Sequence, residues 1–519
     1  MHTMQTIQGL YTKLCGNRDM YLSRARDASK LTIPMLIPEE GSNNATDYPT
    51  PFQSVGARGV NNLASALLLS LLPPNAPFFR LVLDEKAKRE LEQIDPTIKN
   101  EIDQSMSEIE RSIMREVELS GLRTALFSAL KHLIVAGNVL LHIPDEGPVR
   151  TFHMDRYVVV RDPAGTVRKI IIKECVTPDS LPKAIQDNVR NAMTASEKTV
   201  DIYTCVHTMP NGKIKVYQET QGEYIPGTKS VYDKGKSPFI ALRMIQIDGE
   251  DWGRGYVEQY LGDLKSLEAL SQAIVEGSAA SSKVLFLVNP NGTTRARTLA
   301  QAPNGGIREG NATDVSVLQV GKQADFSVAL STMQTIQERL SYAFLLTEST
   351  IRNADRVTAE EVRLVTQSIE RQLGGVYSLL SQEAQLPVVY RFMDRMADTD
   401  RLPKIPKDLV TPAIVTGIDA LGRGNDLNRL DIFLQGVAQT LGVEVLAQYV
   451  DFREYMDRRA AALGIDTDGL IKSEEQIAQE RQQAMMMQMA QQYGPQVVDA
   501  ASQGAMQQQQ LQAQQQEAG

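Results

Sequence analysis

The stretch YLGDLKSLEALSQAIVEGSAASSKVLFLV (260–288) and its return, VSVLQVGKQADFSVALSTMQTIQERLSYAFLL (315–346), decide how this chain folds. In the first, Tyr260, Leu264, Leu267, Leu270 and Ile274 recur every three or four residues, one face of a helix running to about Lys283. In the second, Phe326, Leu330, Met333, Ile336 and Leu340 do the same from about Asp325 to Leu346. Between the helices, Val284–Val288 and Val315–Val320 read as short strands, and residues 289–314 are rich in Gly, Asn, Thr and Arg. The order is helix, small β insertion, helix back. At ~1.5 Å per residue each helix spans roughly 30–40 Å. The segment therefore reads as a stalk with a β tip.

Upstream, residues 3–30 read as a polar helix ended by Pro34 and Pro38, and Glu39–Pro51 as a loop. A buried helix is expected from Phe52 to Leu72, closed by Pro73 and Pro74. Residues 84–143 read as helical throughout. Ile98, Ile102, Met106, Ile109, Ile113 and Val117 form one stripe, and Leu126, Leu130, Leu133 and Ile134 the next. After Pro144 the pattern changes to β-branched runs at Tyr157–Arg161, Val167–Lys173, Val200–His207 and Ile214–Glu219, with turn residues at 162–165 and 210–212. These predict one antiparallel sheet over about 150–247, with a helix inserted near 180–195.

Downstream, residues 347–357 are polar and carry Arg352, Asn353, Asp355 and Arg356. Thr358 and Glu361 have capping-box spacing for a helix to about Ala397, which Gly374-Gly375 and Pro387 should kink or break. Residues 403–415 are Pro-rich and expected extended. Helices follow from about Leu427 to Leu463, then a low-complexity Gln/Met/Ala tail. The fold class is α+β, mainly helical and multidomain.

Composition limits the function. The 519 residues suffice for several domains at ~100–200 residues each. The net charge of −9 opposes a tight DNA binder, which gains affinity by neutralising phosphates, and suits a protein that touches DNA loosely. Cys15, Cys175 and Cys205 are far apart and read as structural thiols of a reducing compartment. The longest apolar stretches, Leu63–Leu72 and Leu133–Ile143, fall short of the ~20 residues of a membrane span and read as buried helices.

Chemistry is hard to find. Gly222–Gly227 with Thr228 and Lys229 is the nearest approach to a phosphate loop, but the lysine comes one residue late and in hairpin territory. Gly253-Arg254-Gly255 lacks the third glycine of a dinucleotide fingerprint and reads as a tight turn. The histidines, His2, His132, His142, His153 and His207, lack metalloprotease spacing, and His132 reads as a satisfied core residue. Asp248, Glu250 and Asp251 beside Trp252 could serve two-metal chemistry, yet a solvated loop is the simpler reading. No catalytic residue, cofactor or metal is expected, and the chain is not expected to be an enzyme.

Four segments resemble the portal, or head-to-tail connector, proteins of short-tailed bacteriophages: ATDYPTPFQSVGARGVNNLASALLLSLLP (45–73), LKHLIVAGNVLLHIP (130–144), DGEDWGRGYVEQYLGDLKSLEALSQAIV (248–275) and VTAEEVRLVTQSIERQLGGVYSLLSQEAQLP (357–387). They are colinear with the family and cover about one hundred residues. The resemblance implies a portal fold of wing, stem, clip and crown, closed into a homododecameric ring. It would place the wing at 1–255, the first stem helix at 256–283, the clip at 284–322 and the second stem helix at 323–346. A channel loop and kinked wing helix would occupy 347–415, the crown 416–472, and a Gln/Met-rich helix or barrel, its end expected disordered, 473–519. It also implies passage of double-stranded DNA without sequence specificity. The partners implied are the terminase large subunit, a tail adaptor, the major capsid and scaffolding proteins and internal core proteins, with no membrane. The setting is the virion, and the host cytoplasm during assembly.

Specific residues follow. A helical stripe on a lone stalk gains from a neighbouring stalk, so Leu264, Leu267, Ile274, Phe326, Leu330, Met333, Ile336 and Leu340 are candidate subunit contacts, an intramolecular hairpin being the alternative. A dozen copies would carry about −108 charges, so the channel should repel phosphate except at sparse basic points, for which Arg352 and Arg356 are the candidates. Arg295, Arg297 and Arg308 are candidates in the clip, facing DNA, a partner or water. The rival readings are a helical scaffold or minor capsid protein without a channel, and a packaging ATPase or nuclease.

Overall fold

The computed structural model describes residues 6–43, 45–74, 77–83, 96–193, 198–281, 285–303, 305–318, 323–346, 359–398, 410–414, 422–442, 450 and 455–456. The chain divides into two compact units, Met1–Leu421 and Gly422–Gly519. In the second, helix Gly422–Leu441 carries Asp431, whose carboxylate accepts a hydrogen bond from the Tyr455 hydroxyl. Every strand among the described residues lies in the first unit.

Its centre is helical. Helix α1 (Ile7–Lys30) begins at Thr6, whose hydroxyl accepts the Gly9 amide, and buries Arg18 against the Asp155 carbonyl and the Tyr11 hydroxyl. Helix α2 (Val55–Leu71) packs against α4 (Leu122–Ala136), and its small residues permit close approach: a side chain at Gly59 would meet the Phe344 ring. Helix α3 (Pro96–Leu119) closes the core with Met106, Ile109, Ile113 and Val117, the stripe expected from its spacing. Strand β1 (Phe79–Leu83) pairs antiparallel with β13 (Val410–Ile414), which lies inside the segment expected to be extended.

Two expectations need correction here. The apolar run 133–143 is not one helix. Gly137 takes a left-handed φ of +76° and its amide closes α4 on the Leu133 carbonyl. That is a glycine C-terminal cap, after which Asn138–His142 is strand β2. The expected single sheet also divides. Strand β2 lies between β3 (Arg150–Phe152) and β10 (Phe239–Arg243) in a three-stranded sheet. The larger antiparallel sheet runs β4 (Tyr157–Arg161), β5 (Val167–Val176), β6 (Val200–Thr208), β7 (Ile214–Thr220) and β8 (Glu223–Tyr224), with β9 (Ser230–Tyr232) also on β7. The expected inserted helix is α5 (Lys183–Ala192).

The hairpin follows as α6 (Leu261–Ser281), β11 (Leu285–Val288), the short α7 (Ala296–Ala300), β12 (Val315–Leu318) and α8 (Gln323–Ala343). Beyond it α9 (Ala359–Leu380) leaves helical geometry at Leu373, immediately before Gly374-Gly375. A π turn at Ser381–Gln385 then leads into α10 (Leu386–Asp398), with Pro387 in its first turn. Both breaks fall where the glycine pair and the proline predict them, since a proline inside a helix removes one backbone donor. The capping pair Thr358 and Glu361 lies outside the residues whose contacts are described. Among the described residues no single helix is long and apolar enough to cross a membrane.

Candidate functional site: the helical hairpin and its joint

The hairpin is an antiparallel helix pair whose burial falls away with distance from the core. Leu264 and Leu267 on α6 and Ile336 and Leu340 on α8 are buried within the subunit's own core. Further out, Ile274, Phe326 and Met333 are half-buried, Leu330 is 44% exposed and Val328 68%. At the tip Phe286 is 60% exposed and Ile307 95%. Of the eight candidate contacts, Leu264, Leu267, Ile336 and Leu340 are thus satisfied by their own chain, because the base of the hairpin packs on α2 and the Tyr256–Phe344 cluster. Leu330 stays exposed, as do Val275 and Val328.

Three contacts hold the two helices in register. Arg339 pairs with Asp263 at 3.0 Å, Ser271 Oγ lies 3.7 Å from Met333 Sδ, and Gly277 leaves room for the Phe326 ring. The return end of α8 is fixed more firmly. Tyr256 Oη donates to the Ala343 carbonyl at 2.9 Å. Asn62 Nδ2, from α2, donates to the Phe344 and Leu345 carbonyls at 3.1 and 3.0 Å. Leu345 has φ of +56°, a left-handed conformation costly for a branched residue. These donors satisfy carbonyls that a helix end leaves unpaired. At the other end, the Glu268 carboxylate of α6 accepts the Phe52 and Gln53 amides that precede α2. Side-chain hydrogen bonds therefore tie the hairpin to the core both at the end of α8 and at the segment leading into α2.

The tip is organised by Asp314. Its carboxylate accepts the Thr294 amide and the Thr293 hydroxyl at 3.1 and 3.2 Å, and the Thr294 amide, more than any other contact, holds it below the usual carboxylate range. Gly292 and Gly310 lie too close to Asp314 and Thr294 for a side chain. Arg295, Arg297 and Arg308 are exposed, and none makes a side-chain hydrogen bond or ion pair among the described residues. Arg352 and Arg356 lie outside the described residues.

The kinked helix is tied down by buried charge. Glu383, in the π turn, binds the Arg243 guanidinium and the Arg243 amide, with Arg161 at 3.8 Å. Arg391, with no exposed surface, donates to the Ile143 carbonyl at 3.1 Å and pairs with Asp145 and Asp394. Sequence reasoning passed over Asn62, Tyr256, Glu383 and Arg391. Their farthest hydrogen-bond partners stand 283, 87, 140 and 248 positions away, and no local pattern announces such contacts.

Other candidates resolve structurally. Glu250 is bidentate to Arg254 and Asp251 accepts the Arg161 amide, while Asp248 is exposed, so the solvated-loop reading holds for Asp248 and not for the two carboxylates that tie the segment down. Gly253 and Gly255 pack against the backbone of Gly137 and Val135, and Asn138 bonds both the amide and the carbonyl of Gly253. Among the described residues no group of three or more His, Cys, Asp or Glu could hold a metal ion. His132 is buried, and among the described residues its Nδ1 makes no hydrogen bond, nor does that of His153, whose ring stacks 6.3 Å away. Burial, above all, depresses both imidazoles to about 4. The three cysteines are free.

The family described as "Bacteriophage head to tail connecting protein" matches residues 4–471. The chain is 41% identical to the portal protein of Escherichia phage T7 over 93% of its own length and 91% of that protein's. It is also 41% identical to the portal protein of Enterobacteria phage T3, over 95% and 92%. Identity to the portal protein of Enterobacteria phage SP6 is 32%, over 93% of each. Among solved structures, the neck of an empty gene transfer agent particle aligns at 12% identity and a TM-score of 0.37, covering 80% of this chain and 90% of that one, too remote a likeness to carry weight. With a family match over nearly the whole chain and these relatives beside it, the chain belongs to the bacteriophage head-to-tail connecting proteins, the portal proteins of short-tailed phages.

Proposed function

We propose that this chain forms the closed ring through which double-stranded DNA enters and leaves a phage capsid, set at the head–tail junction of the virion after assembly in the host cytoplasm. The observation that carries the proposal is the graded hairpin. Its base is finished within one subunit, while Val275, Val328 and Leu330 along its length stay exposed. Val328 and Leu330, two positions apart, point to different sides of α8, so exposed apolar side chains on both sides of the stalk find cover in identical neighbours, and repetition of that contact closes a ring of about twelve. The tip, with Phe286, Leu287 and Ile307 beside Arg295, Arg297 and Arg308, is the surface for a terminase during filling and a tail adaptor afterwards. Residues 347–357, with Arg352 and Arg356, leave the end of α8 and line the channel; 416–472 form the crown. The ring has no chemistry of its own, and purified protein should not hydrolyse ATP.

Negative-stain images of purified protein test this. Top views should show rings with a central hole, and Val328→Glu with Leu330→Glu should abolish them while circular dichroism stays unchanged. Monomers of the unaltered chain at every concentration, in the presence of scaffolding protein, would overturn it. A scaffold or minor capsid protein without a channel has no observation in its favour.

A further inference from the structure

The larger wing sheet carries a row of bases whose placement the ring does not explain. Its strand register sets Val160, Lys169, His207, Lys215 and Val231 directly opposite one another across β4, β5, β6, β7 and β9. Paired residues in antiparallel strands share a face, so these five side chains stand in one line. Three adjacent positions are basic. Strands lie about 4.8 Å apart, so the two lysines flank the histidine across roughly 10 Å.

Lys169 and Lys215 flank His207 on either side, and no carboxylate on this face is free to neutralise them. The carboxylates it carries by register are engaged elsewhere: Asp201 with Lys173 at 2.8 Å, Glu219 with the Ile7 amide at 2.9 Å and Asp233 with Lys213 at 3.5 Å. Neither Lys169 nor Lys215 makes an ion pair among the described residues; Lys215 lies over the Tyr217 ring at 4.8 Å. Burial and then Lys169 hold the His207 imidazole below its ordinary value, so the row already acts on its own members. Helix α1 covers the same face only further along, where Tyr11 meets Tyr203. Val231, at one end of the row, is half exposed. Residues 150–247 hold 15 Lys and Arg against 10 Asp and Glu, in a chain whose net charge is −9.

We propose that this row is a second DNA contact, outside the channel, at which the phosphate backbone of a duplex rests on the wing sheet. A flat face with its cations in a line suits a sequence-blind polyanion, and phosphate contacts of this kind carry no base recognition. The choice of duplex DNA as that polyanion rests on the channel reading above; the unrelieved row does not.

The test uses full-length protein and a covalently closed circular duplex, which cannot thread a closed ring. Affinity is measured by filter binding at several salt concentrations for the unaltered chain, for K169Q with K215Q, for K169R with K215R, and for K183Q with K198Q as off-face controls. The glutamine pair should weaken binding about tenfold at low salt and flatten the logarithmic salt dependence by about two. The arginine pair and the controls should bind as the unaltered chain does. Unchanged affinity and slope in the glutamine pair would overturn the proposal. So would a glutamine pair that no longer forms rings, since the row would then be a contact between subunits. Images taken before DNA is added separate the two readings: absence of rings from the unaltered chain sinks the channel, whereas the row is judged on the difference between variants.

Discussion

At the scale of single residues, the strongest constraints are a few polar groups placed where the chain would otherwise be unsatisfied. Asn62 is one, holding two carbonyls at the end of α8 beside a left-handed Leu345. Replacement by alanine leaves both carbonyls without their donor and should cost about 1–3 kcal/mol; an unchanged melting temperature would show the clamp to be idle. Arg391 is another. Arg391→Met leaves the Ile143 carbonyl without its donor, while Asp394 keeps Lys236 and Asp145 faces solvent, and should cost about 1–3 kcal/mol, read from urea midpoints at constant slope. His132 and His153 make stability depend on pH. Both sit near 4 when folded and near 6.5 when unfolded, so between those values the unfolded chain binds more protons. Their contribution is whole above about 6.5 and is lost as pH falls towards 4. Thermal melts at pH 7, 5.5 and 4.5 should show the decline, and His132→Phe should make it shallower; parallel curves would refute the assignment.

At the scale of elements, the hairpin shows both the reach and the limit of local pattern. The stripes of α6 and α8 announce two helices and a β tip, because helical spacing is a local property. Which part of a stripe faces its own core is not local. Leu340 and Leu330 look alike in the sequence, yet one is packed by Phe344 and α2 and the other lies beyond their reach. Leu340→Ala should therefore cost about 2–5 kcal/mol of subunit stability. Leu330→Ala should leave the melting temperature of the monomer within about a degree and lower the fraction of rings; equal effects in both assays would erase the distinction. The break at Gly137 was legible, since a glycine after an apolar helical run is a stop signal, but the leucines on either side of it masked the change of period. The division of the sheet was not. Strand β2 precedes the β-rich region and finds β10 about a hundred residues later, a pairing set by tertiary packing.

At the scale of the whole molecule, charge is divided unevenly. The chain as a whole is acidic, which suits a conduit that must not hold its cargo, while residues 150–247, which hold the larger sheet, are basic. The channel role proposed for Arg352 and Arg356 bears on the conduit. With both changed to alanine, phage should package DNA of altered length or leak it after filling, as read by gel sizing of virion DNA; wild-type length and retention would remove them from the channel. The family was legible from four colinear segments without any catalytic motif, since a structural protein records its constraints along its length.

The falling burial along the hairpin also bears on how such a protein changes over generations. Substitutions near Leu264 and Leu340 are filtered by folding and act within one molecule. Those at Phe286, Leu287 and Ile307 leave the subunit intact and are filtered only by the company it keeps. With the docking role proposed for the tip, it can drift with its partners while the base stands still, and a lineage could take on a new tail without rebuilding its vertex.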